Sequence, residues 1–242
     1  MPTVTEIASD VYRFSIYVPE FDLQFNHFLV KDEQPLLYHT GMRHMFPQLQ
    51  ELVRKVIDPK KIRWIGFSHF EVDECGAINE WLNVSPDAQP VCSLVGAMVN
   101  LNDFANRPPK GLAQDEQFST GKYKFKFKST PHLPHGWDAG SFFEETQKIL
   151  FCSDLFHHVG EVEAITNSDI IDRTRKSLIE YQKGPLMDYM PYTSLTKKLI
   201  QSLADLKPKT LATMHGSSFN GDCVQALHVL GIVMKDVLGK ER

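Results

Sequence analysis

The sequence lacks the features that mark several large classes of protein. It has four cysteines, which are widely separated: Cys75, Cys92, Cys152 and Cys223. They form neither a Cys-x-x-Cys pair nor the dense framework of a small secreted domain. No apolar run approaches the roughly 20 residues that span a bilayer, and the first residues lack the charged and apolar regions of a signal peptide. These absences favour a reduced, cytoplasmic protein without a membrane partner.

Charge and composition exclude further classes. The formal net charge is −4 and the basic residues are scattered, so the sequence has no basic footprint for nucleic acid. Gly/Ser-rich linkers, internal repeats and low-complexity segments are also missing. The 242 residues, of which 42% are hydrophobic, suffice for one sizeable core. We therefore expect a single domain over residues 1–242.

Hydrophobic periodicity predicts strands and helices in both halves of the chain. Loose alternation over residues 10–18, and the two apolar runs that follow it, predict an antiparallel meander. Helical spacing of apolar residues predicts helices over residues 45–57 and 222–238. Residues from about 155 to 193 have little strand signal and are expected to form a helical insertion. The mixture indicates two sheets between outer layers of helices.

A dense polar cluster follows the predicted strand "WIGF". The next segment, "SHFEVDECG", contains four side chains that can bind metals: His69, Glu71, Asp73 and Glu74. Crowded carboxylates repel one another unless a cation neutralises them or water solvates them freely. A solvated acidic turn is the plain alternative, but it would leave similar residues at other strand ends unexplained. We interpret the cluster as a metal site.

Three more predicted strands end in side chains that can bind metals. In chain order, these side chains are His132, His135, Asp154 and His215. A lone histidine or aspartate at a strand end is commonly a hydrogen-bonded structural residue. Strand ends at one edge of a sheet converge in space, however, so these groups and the polar cluster can meet at one site.

This order of residues resembles the di-iron domain of flavodiiron proteins and the oxygen-binding di-iron proteins, which have the metallo-β-lactamase fold. The motifs that carry the resemblance run through most of the chain: "FNHFLVKDEQPLLYHTG", "HFEVDECG", "LPHGWDAGSFF", "ILFCSDLF" and "MHGSSF". The resemblance implies an α/β fold, a metallo-β-lactamase-like αββα sandwich of two mixed sheets with helices on the outer faces.

The resemblance also implies a site for two metal ions, the first of which would be held by His69, Glu71 and His135. His135 is preferred as the histidine of its motif because it precedes Asp138 by three residues, as the family's ligand precedes an aspartate. His132 is the alternative, since "TPH" resembles the Thr-Pro-Gly-His turn of the wider fold.

The second ion would be held by Asp73 and His215, with Asp154 bridging the two ions. The sequence departs from the family at Glu74, which stands where the family has a histidine ligand. Whether Glu74 also binds an ion is left open. His39, in "YHTG", stands where the wider fold often has aspartate, and it is expected to be a hydrogen-bond partner of the site.

The types of donor favour iron over zinc. Hydrolases of this fold carry His-x-His-x-Asp-His, whereas Glu71 and Glu74 here replace imidazole with carboxylate, a harder donor that favours iron or manganese. The four carboxylates of the implied ligand set together carry a charge of −4, which two divalent irons would balance. Two iron ions are the expected cofactors, with zinc or manganese as alternatives.

The first functional hypothesis is a non-haem di-iron protein that binds or reduces dioxygen, or nitric oxide, as an oxidoreductase or as an oxygen sensor. Nothing in the chain resembles the flavodoxin module of flavodiiron proteins, so we expect no flavin domain and an external electron-donor protein. Flavodiiron relatives form head-to-tail dimers in which flavin meets iron. Because no flavin domain is expected here, this reason to form a homodimer does not apply, and the oligomeric state is left open.

The second hypothesis is a dinuclear metal-dependent hydrolase of the metallo-β-lactamase superfamily. A bridging hydroxide would attack an ester, thioester, lactone or phosphodiester. The expected apolar lining of its substrate pocket is Phe142, Phe143, Met187 and Tyr189. A non-catalytic metal-binding module is a third alternative.

The expected insertion carries further polar side chains that could reach the site. His157 and His158 could overhang it, although adjacent histidines on a surface loop are commoner. Three tyrosines in the same region could supply a hydroxyl donor to bound oxygen: Tyr181, Tyr189 and Tyr192.

Overall fold

Two seven-stranded sheets form the centre of the molecule. The computed structural model describes residues 2–168 and 170–239, so residues 1, 169 and 240–242 of the expected domain lie outside it. The first sheet contains, in spatial order, β1 (Thr3–Ala8), β2 (Val11–Val18), β3 (Leu23–Val30), β4 (Leu36–Tyr38), β5 (Trp64–Gly66), β6 (Gln89–Ser93) and β7 (Lys110–Leu112). The second contains β12 (Ile165–Thr166), β14 (Ser218–Phe219), β13 (Thr210–Ala212), β11 (Ile149–Phe151), β10 (Gly140–Glu144), β9 (Lys124–Ser129) and β8 (Gln117–Ser119).

Both sheets are mixed, as predicted. Strands β1 to β4 form the predicted antiparallel meander, and β4 to β7 pair in parallel. In the second sheet β8 to β11 are antiparallel, whereas β13 pairs in parallel with β11 and β14 in parallel with β12. Parallel neighbours end at the same edge, which brings the segments after them together.

Eight helices cover the outer faces within the described ranges: α1 (Phe46–Arg54), α2 (Val72–Cys75), α3 (Ile78–Val84), α4 (Leu94–Gly96), α5 (Asn102–Phe104), α6 (Ile170–Tyr181), α7 (Thr196–Ala204) and α8 (Cys223–Leu238). A π-helical turn, Ala97–Leu101, joins α4 to α5, and three short 3-10 turns lie at Pro19–Phe21, Arg43–Met45 and Pro59–Lys61. The side chain of Asp222 accepts a hydrogen bond from the Gln225 amide and caps α8 at its predicted start. No helix in the described ranges is long and apolar enough to cross a membrane.

Three apolar layers hold the sandwich together. One packs α1 and α3 against the first sheet, through residues such as Leu52 and Trp81. Another packs α6, α7 and α8 against the second sheet. Between the sheets, aromatic rings meet edge to face, as Phe28 and Phe151 do at a centroid distance of 5.6 Å. Each fully buried Phe stabilises the fold by about 1.5–3 kcal/mol. The αββα sandwich predicted from the resemblance is confirmed.

The segment expected to be a helical insertion, residues 155–193, is helical over α6 alone among its described residues. Strand β12 also lies in it and extends the second sheet beside β14. Gly160, Gly184 and two prolines interrupt helical spacing in the rest of the segment. Residue 169 lies outside the described ranges.

Gly66 allows the sheets to approach at the edge that carries the site. It is the last residue of β5, directly before the polar cluster. A Cβ atom there would lie 2.9 Å from Cε2 of Phe142, in the opposite sheet. Any larger residue would push β5 away from the second sheet, and with it the segment that follows.

Candidate metal centre

The predicted polar side chains meet at one end of the sandwich. The segment after β5, which includes α2, contributes the cluster that begins at His69. The segments after β9, β11 and β13 contribute His135, Asp154 and His215. Strand β5 belongs to the first sheet and the other three strands to the second, so the site joins the two sheets.

The first candidate metal position is the space among His69, Glu71 and His135. Oε2 of Glu71 lies 3.1 Å from Nε2 of His69 and 2.6 Å from Nε2 of His135. Oδ2 of Asp154 lies 3.6 Å from the same nitrogen of each ring. All four residues offer a donor atom within 4.8 Å of the others, which is close enough to hold one ion.

The second metal position lies on the other side of Asp154, beside Asp73 and His215. Nε2 of His215 is 3.4 Å from Oδ2 of Asp73 and 3.5 Å from Oδ1 of Asp154. The two oxygens of Asp154 therefore face different histidines. This geometry fits a carboxylate that bridges two ions.

Hydrogen bonds orient two of the imidazoles. Nδ1 of His69 lies 3.0 Å from the Ser68 hydroxyl and 3.3 Å from that of Ser153. Nδ1 of His215 lies 3.0 Å from the backbone oxygen of Gln24. When Nδ1 donates these hydrogen bonds, Nε2 of each ring is left free to bind an ion.

His39 extends this network, as the sequence predicts. Its Nε2 lies 3.1 Å from the Ser68 hydroxyl, and its Nδ1 lies 3.0 Å from the sulfur of Met214. The ring stacks on Tyr38 at 4.3 Å, which fixes its plane. His39 thus supports the hydroxyl that orients His69.

Charges in the centre are complementary. Hydrogen bonds from His135 and His69 lower the pKa of Glu71 to about 2. Burial opposes ionisation of Asp73, but the hydrogen bond from His215 outweighs it and lowers the pKa of Asp73. Burial also disfavours protonated His135 and His215, yet their carboxylate partners raise the pKa of both rings.

Glu74 lies beneath the two positions, outside the lining of the cavity that the described residues form above them. Its side chain is 0% exposed, and its Oε2 is 3.8 Å from Nε2 of His69. Neither carboxylate oxygen has a hydrogen-bond donor in the described part of the chain. Burial, together with the charges of Asp73 and Asp154, raises the pKa of Glu74 well above its ordinary value.

This donor set fits a pair of metal ions. Buried carboxylate oxygens without a hydrogen-bond donor among the described residues occur on Glu74 and, at Oδ1, on Asp154. Such oxygens are costly unless a cation or a proton compensates them. Two ions at the positions above would supply that compensation and would displace protons from the histidines.

The structure separates the alternatives that the sequence left open. His132 is exposed and has a left-handed backbone with φ 63°, whereas His135 turns inward to Glu71. Cys75 is buried, and its thiol donates to the backbone oxygen of Glu71, so it serves packing. His158 accepts a hydrogen bond from the Ser217 amide and supports the loop that carries His215.

A cavity of about 580 Å³ opens above the two positions. Its apolar walls are Phe21, Leu23, Phe25, Met42, Val72 and Leu186. The sequence analysis missed these walls because they come from separate segments with no shared local pattern. The expected lining by Phe142 and Phe143 is wrong, since both are buried in packed layers of the core. Met187 also lies outside the lining that the described residues form, whereas Tyr189 belongs to it.

Three polar side chains of the expected insertion line the cavity. Nε2 of His157 lies 2.8 Å from the Tyr181 hydroxyl, and its ring is 4.7 Å from that of His215. The ring of Tyr189 lies 5.8 Å from His135, and its buried hydroxyl has no partner in the described ranges. Tyr192 instead lines a groove between α7 and α8.

Comparison with known proteins gives a family and a fold. The family model described as "ODP family beta lactamase" matches residues 23–216. Rubredoxin-oxygen oxidoreductase of Megalodesulfovibrio gigas is 26% identical over 202 residues, which cover 81% of this chain and 49% of that protein. Flavo-diiron protein FprA2 of Clostridium acetobutylicum is also 26% identical over 202 residues, covering 81% of this chain and 50% of its own length. The chain therefore spans about half the length of these curated relatives.

The solved structure of rubredoxin oxygen:oxidoreductase from Desulfovibrio gigas superimposes with a TM-score of 0.81 at 22% identity. The match covers 95% of this chain and 61% of that one. At this identity the superposition establishes a shared fold, and it confirms the metallo-β-lactamase-like architecture predicted from the motifs.

Proposed function

The chain belongs to the ODP beta-lactamase family, and we propose that its metal centre is a non-haem di-iron site that binds or reduces dioxygen. The first iron is held by His69, Glu71 and His135. The second is held by Asp73 and His215.

The observation that carries this proposal is the placement of Asp154 between two histidine groups. One carboxylate oxygen is 3.6 Å from the rings of His69 and His135, and the other is 3.5 Å from that of His215. Asp154 is therefore assigned as the bridge between the irons. The surrounding donors are rich in carboxylate oxygen, which favours iron over zinc.

The names of the relatives support the reaction class. One is called a rubredoxin-oxygen oxidoreductase and another a flavo-diiron protein. For this chain we infer dioxygen as the ligand of the di-iron site. Nitric oxide, a second diatomic molecule, would bind at the same site. We propose that electrons reach the centre from a donor outside residues 1–242, since one relative is named for its use of rubredoxin.

The irons supply one-electron redox chemistry, and the chain supplies the surroundings of the bound ligand. The apolar walls of the cavity would give the bound ligand a largely apolar environment on one side. The buried hydroxyl of Tyr189 has no partner in the described ranges, so it would be free to donate a hydrogen bond to a bound ligand. His157 and Tyr181 hold each other in place beside it.

A dinuclear hydrolase is the second candidate, and the size of the cavity favours it. A volume of about 580 Å³ far exceeds what a diatomic molecule fills and lies within the usual range for organic ligands. In this case the chain would position an apolar ester or phosphodiester against the centre. Turnover of such substrates by the metal-loaded protein, lost in His69→Ala, would favour this candidate.

The decisive experiment is metal content measured together with the absorption spectrum. Protein from iron-supplemented cells is reduced without air and then exposed to oxygen. Two irons per chain and a ferric band that appears on exposure would support the proposal. Two zincs and a featureless spectrum that oxygen does not change would contradict it.

A further inference from the structure

Glu74 is a buried carboxylate whose close polar neighbours are the proposed ligands. It lies in α2, where it follows Asp73 directly, and it is fully buried. Glu71, Asp73 and Glu74 offer donor atoms within 4.8 Å of one another. Within the described ranges no hydrogen-bond donor reaches either of its oxygens, so packing alone does not explain the choice of glutamate.

Distances place Glu74 near both metal positions. Two donor atoms that bind one ion at about 2.1 Å each can be at most about 4.2 Å apart. Oε2 of Glu74 is 3.8 Å from Nε2 of His69, a ligand of the first position. Asp73, a ligand of the second position, is in side-chain contact with Glu74.

Two states can stabilise such a carboxylate. It can keep a proton, which it would share with Asp73, or it can bind cations. The distances favour cations, because Oε2 of Glu74 lies within the span of one ion from Nε2 of His69, and the Glu74 side chain also contacts Asp73. The side chain also has no route to water through the cavity, since it lies outside the lining that the described residues form.

We infer that Glu74 is a second bridging carboxylate, which binds both metal ions from the protein side of the centre. This inference rests on the proposed di-iron function. It gives the pair two carboxylate bridges, Asp154 from the segment after β11 and Glu74 from α2. A histidine in place of Glu74, as in the family motif, could bind one ion and could not bridge two.

The test compares Glu74→Gln and Glu74→His with the wild-type protein, each titrated with ferrous iron without air. Glu144→Gln is the matched control, because Glu144 is equally buried but accepts hydrogen bonds from the Thr146 and Gln147 amides at a turn. Iron per chain is measured, and Mössbauer and magnetic circular dichroism spectra report the magnetic coupling between the irons.

We expect the wild-type protein and Glu144→Gln to bind two coupled irons per chain. Glu74→Gln should bind the second iron at least tenfold more weakly, and Glu74→His should keep both irons with reduced coupling. Wild-type affinity and coupling in both Glu74 variants would overturn the inference. Fewer than two irons in the wild-type protein would instead overturn the proposed function.

A measurement on the wild-type chain removes dependence on the folding of the variants. Infrared spectra of protein labelled with carbon-13 at the glutamate carboxyl groups are recorded before and after ferrous iron is added. Loading should produce a pair of glutamate carboxylate bands with the narrow splitting of a bridging carboxylate, besides the wider splitting of the terminal ligand Glu71. Absence of the narrow pair with two irons bound would overturn the inference.

Discussion

The two candidate metal positions differ in the distances between their donor atoms and in their exposure. At the first, Glu71 lies 3.1 Å and 2.6 Å from two histidine rings, and its side chain is 48% exposed. At the second, His215 lies 3.4 Å and 3.5 Å from its carboxylates, and it is 5% exposed. The first position is assembled and open, whereas the second is looser and enclosed. Among the ligands assigned under the proposed function, only Asp154 belongs to both positions.

This contrast indicates how the centre would bind ions. The first position has its donors in place before an ion arrives, so it should bind first. The second has fewer histidines and needs an ion to offset crowded buried carboxylates. Substitutions at the two positions test this difference, and Asp154→Ala should abolish it.

Asp154→Ala should remove both ions or leave one weakly held, because a bridge serves two ions. Glu74→Ala should retain at least the ion at the first position. Metal analysis after extensive dialysis measures both variants against the wild-type protein. Retention of both ions in Asp154→Ala would contradict the assignment of Asp154 as the bridge.

Removing one histidine should affect one position. His135→Ala should weaken binding at the first position, and His215→Ala at the second, by more than about 100-fold each. Titration with cobalt, whose absorption reports its ligands, distinguishes the two positions. His132→Ala is the matched control from the same loop and should bind as the wild type does. A loss of metal in His132→Ala comparable to that in His135→Ala would show that the ligand was misassigned.

Acidity should weaken metal binding at both positions. The pKa values of His135 and His215 are raised above the ordinary 6.5, so their rings must release protons to bind ions. Affinity should therefore fall as the pH drops, by about tenfold per pH unit for each proton released. Isothermal titrations at pH 6 and pH 8 should show this change, and equal affinities would contradict it.

For the metal-free protein, the free energy of unfolding should fall as the pH rises on the alkaline side, whereas metal affinity should rise. Raised histidine pKa values contribute stability that is full below 6.5 and is lost as the pH rises through the folded-state values. The pKa of Glu71, lowered from 4.5 to about 2, contributes stability that is full above 4.5 and is lost toward pH 2. Thermal melts should place the contribution of these groups at its maximum between about pH 4.5 and pH 6.5, and bound metal should shift the optimum upward.

The smallest expected effect concerns Tyr189, which lines the cavity beside the first position. Tyr189→Phe should keep both ions and weaken azide binding by a few-fold to about tenfold, since one hydrogen bond contributes about 0.5–1.5 kcal/mol. Optical titration with azide measures the change. Tyr192→Phe, in the groove between α7 and α8, is the control. Identical azide affinity in Tyr189→Phe and the wild type would remove Tyr189 from the ligand's surroundings.

The sequence by itself determined the features that depend on local patterns. Alternation and helical spacing predicted the meander and the helices α1 and α8, because burial of one face imposes those periods on each element. Carboxylates crowded after β5, and histidines or aspartate after three other strands, predicted a metal centre, since such clusters are costly without a cation, and the family resemblance implied its ligands. The identity of the bound metal and the ligand roles stay predictions.

Tertiary structure decided whatever depends on the meeting of distant segments. It turned His135 inward and left His132 exposed, a choice set by the backbone of one loop, in which His132 and Gly136 both have positive φ. It placed Phe142 and Phe143 in the core and formed the cavity from Phe21, Val72 and other separate walls. It also buried Glu74 beside His69 and Asp73. None of these contacts leaves a periodic signal, because each joins residues far apart in the chain.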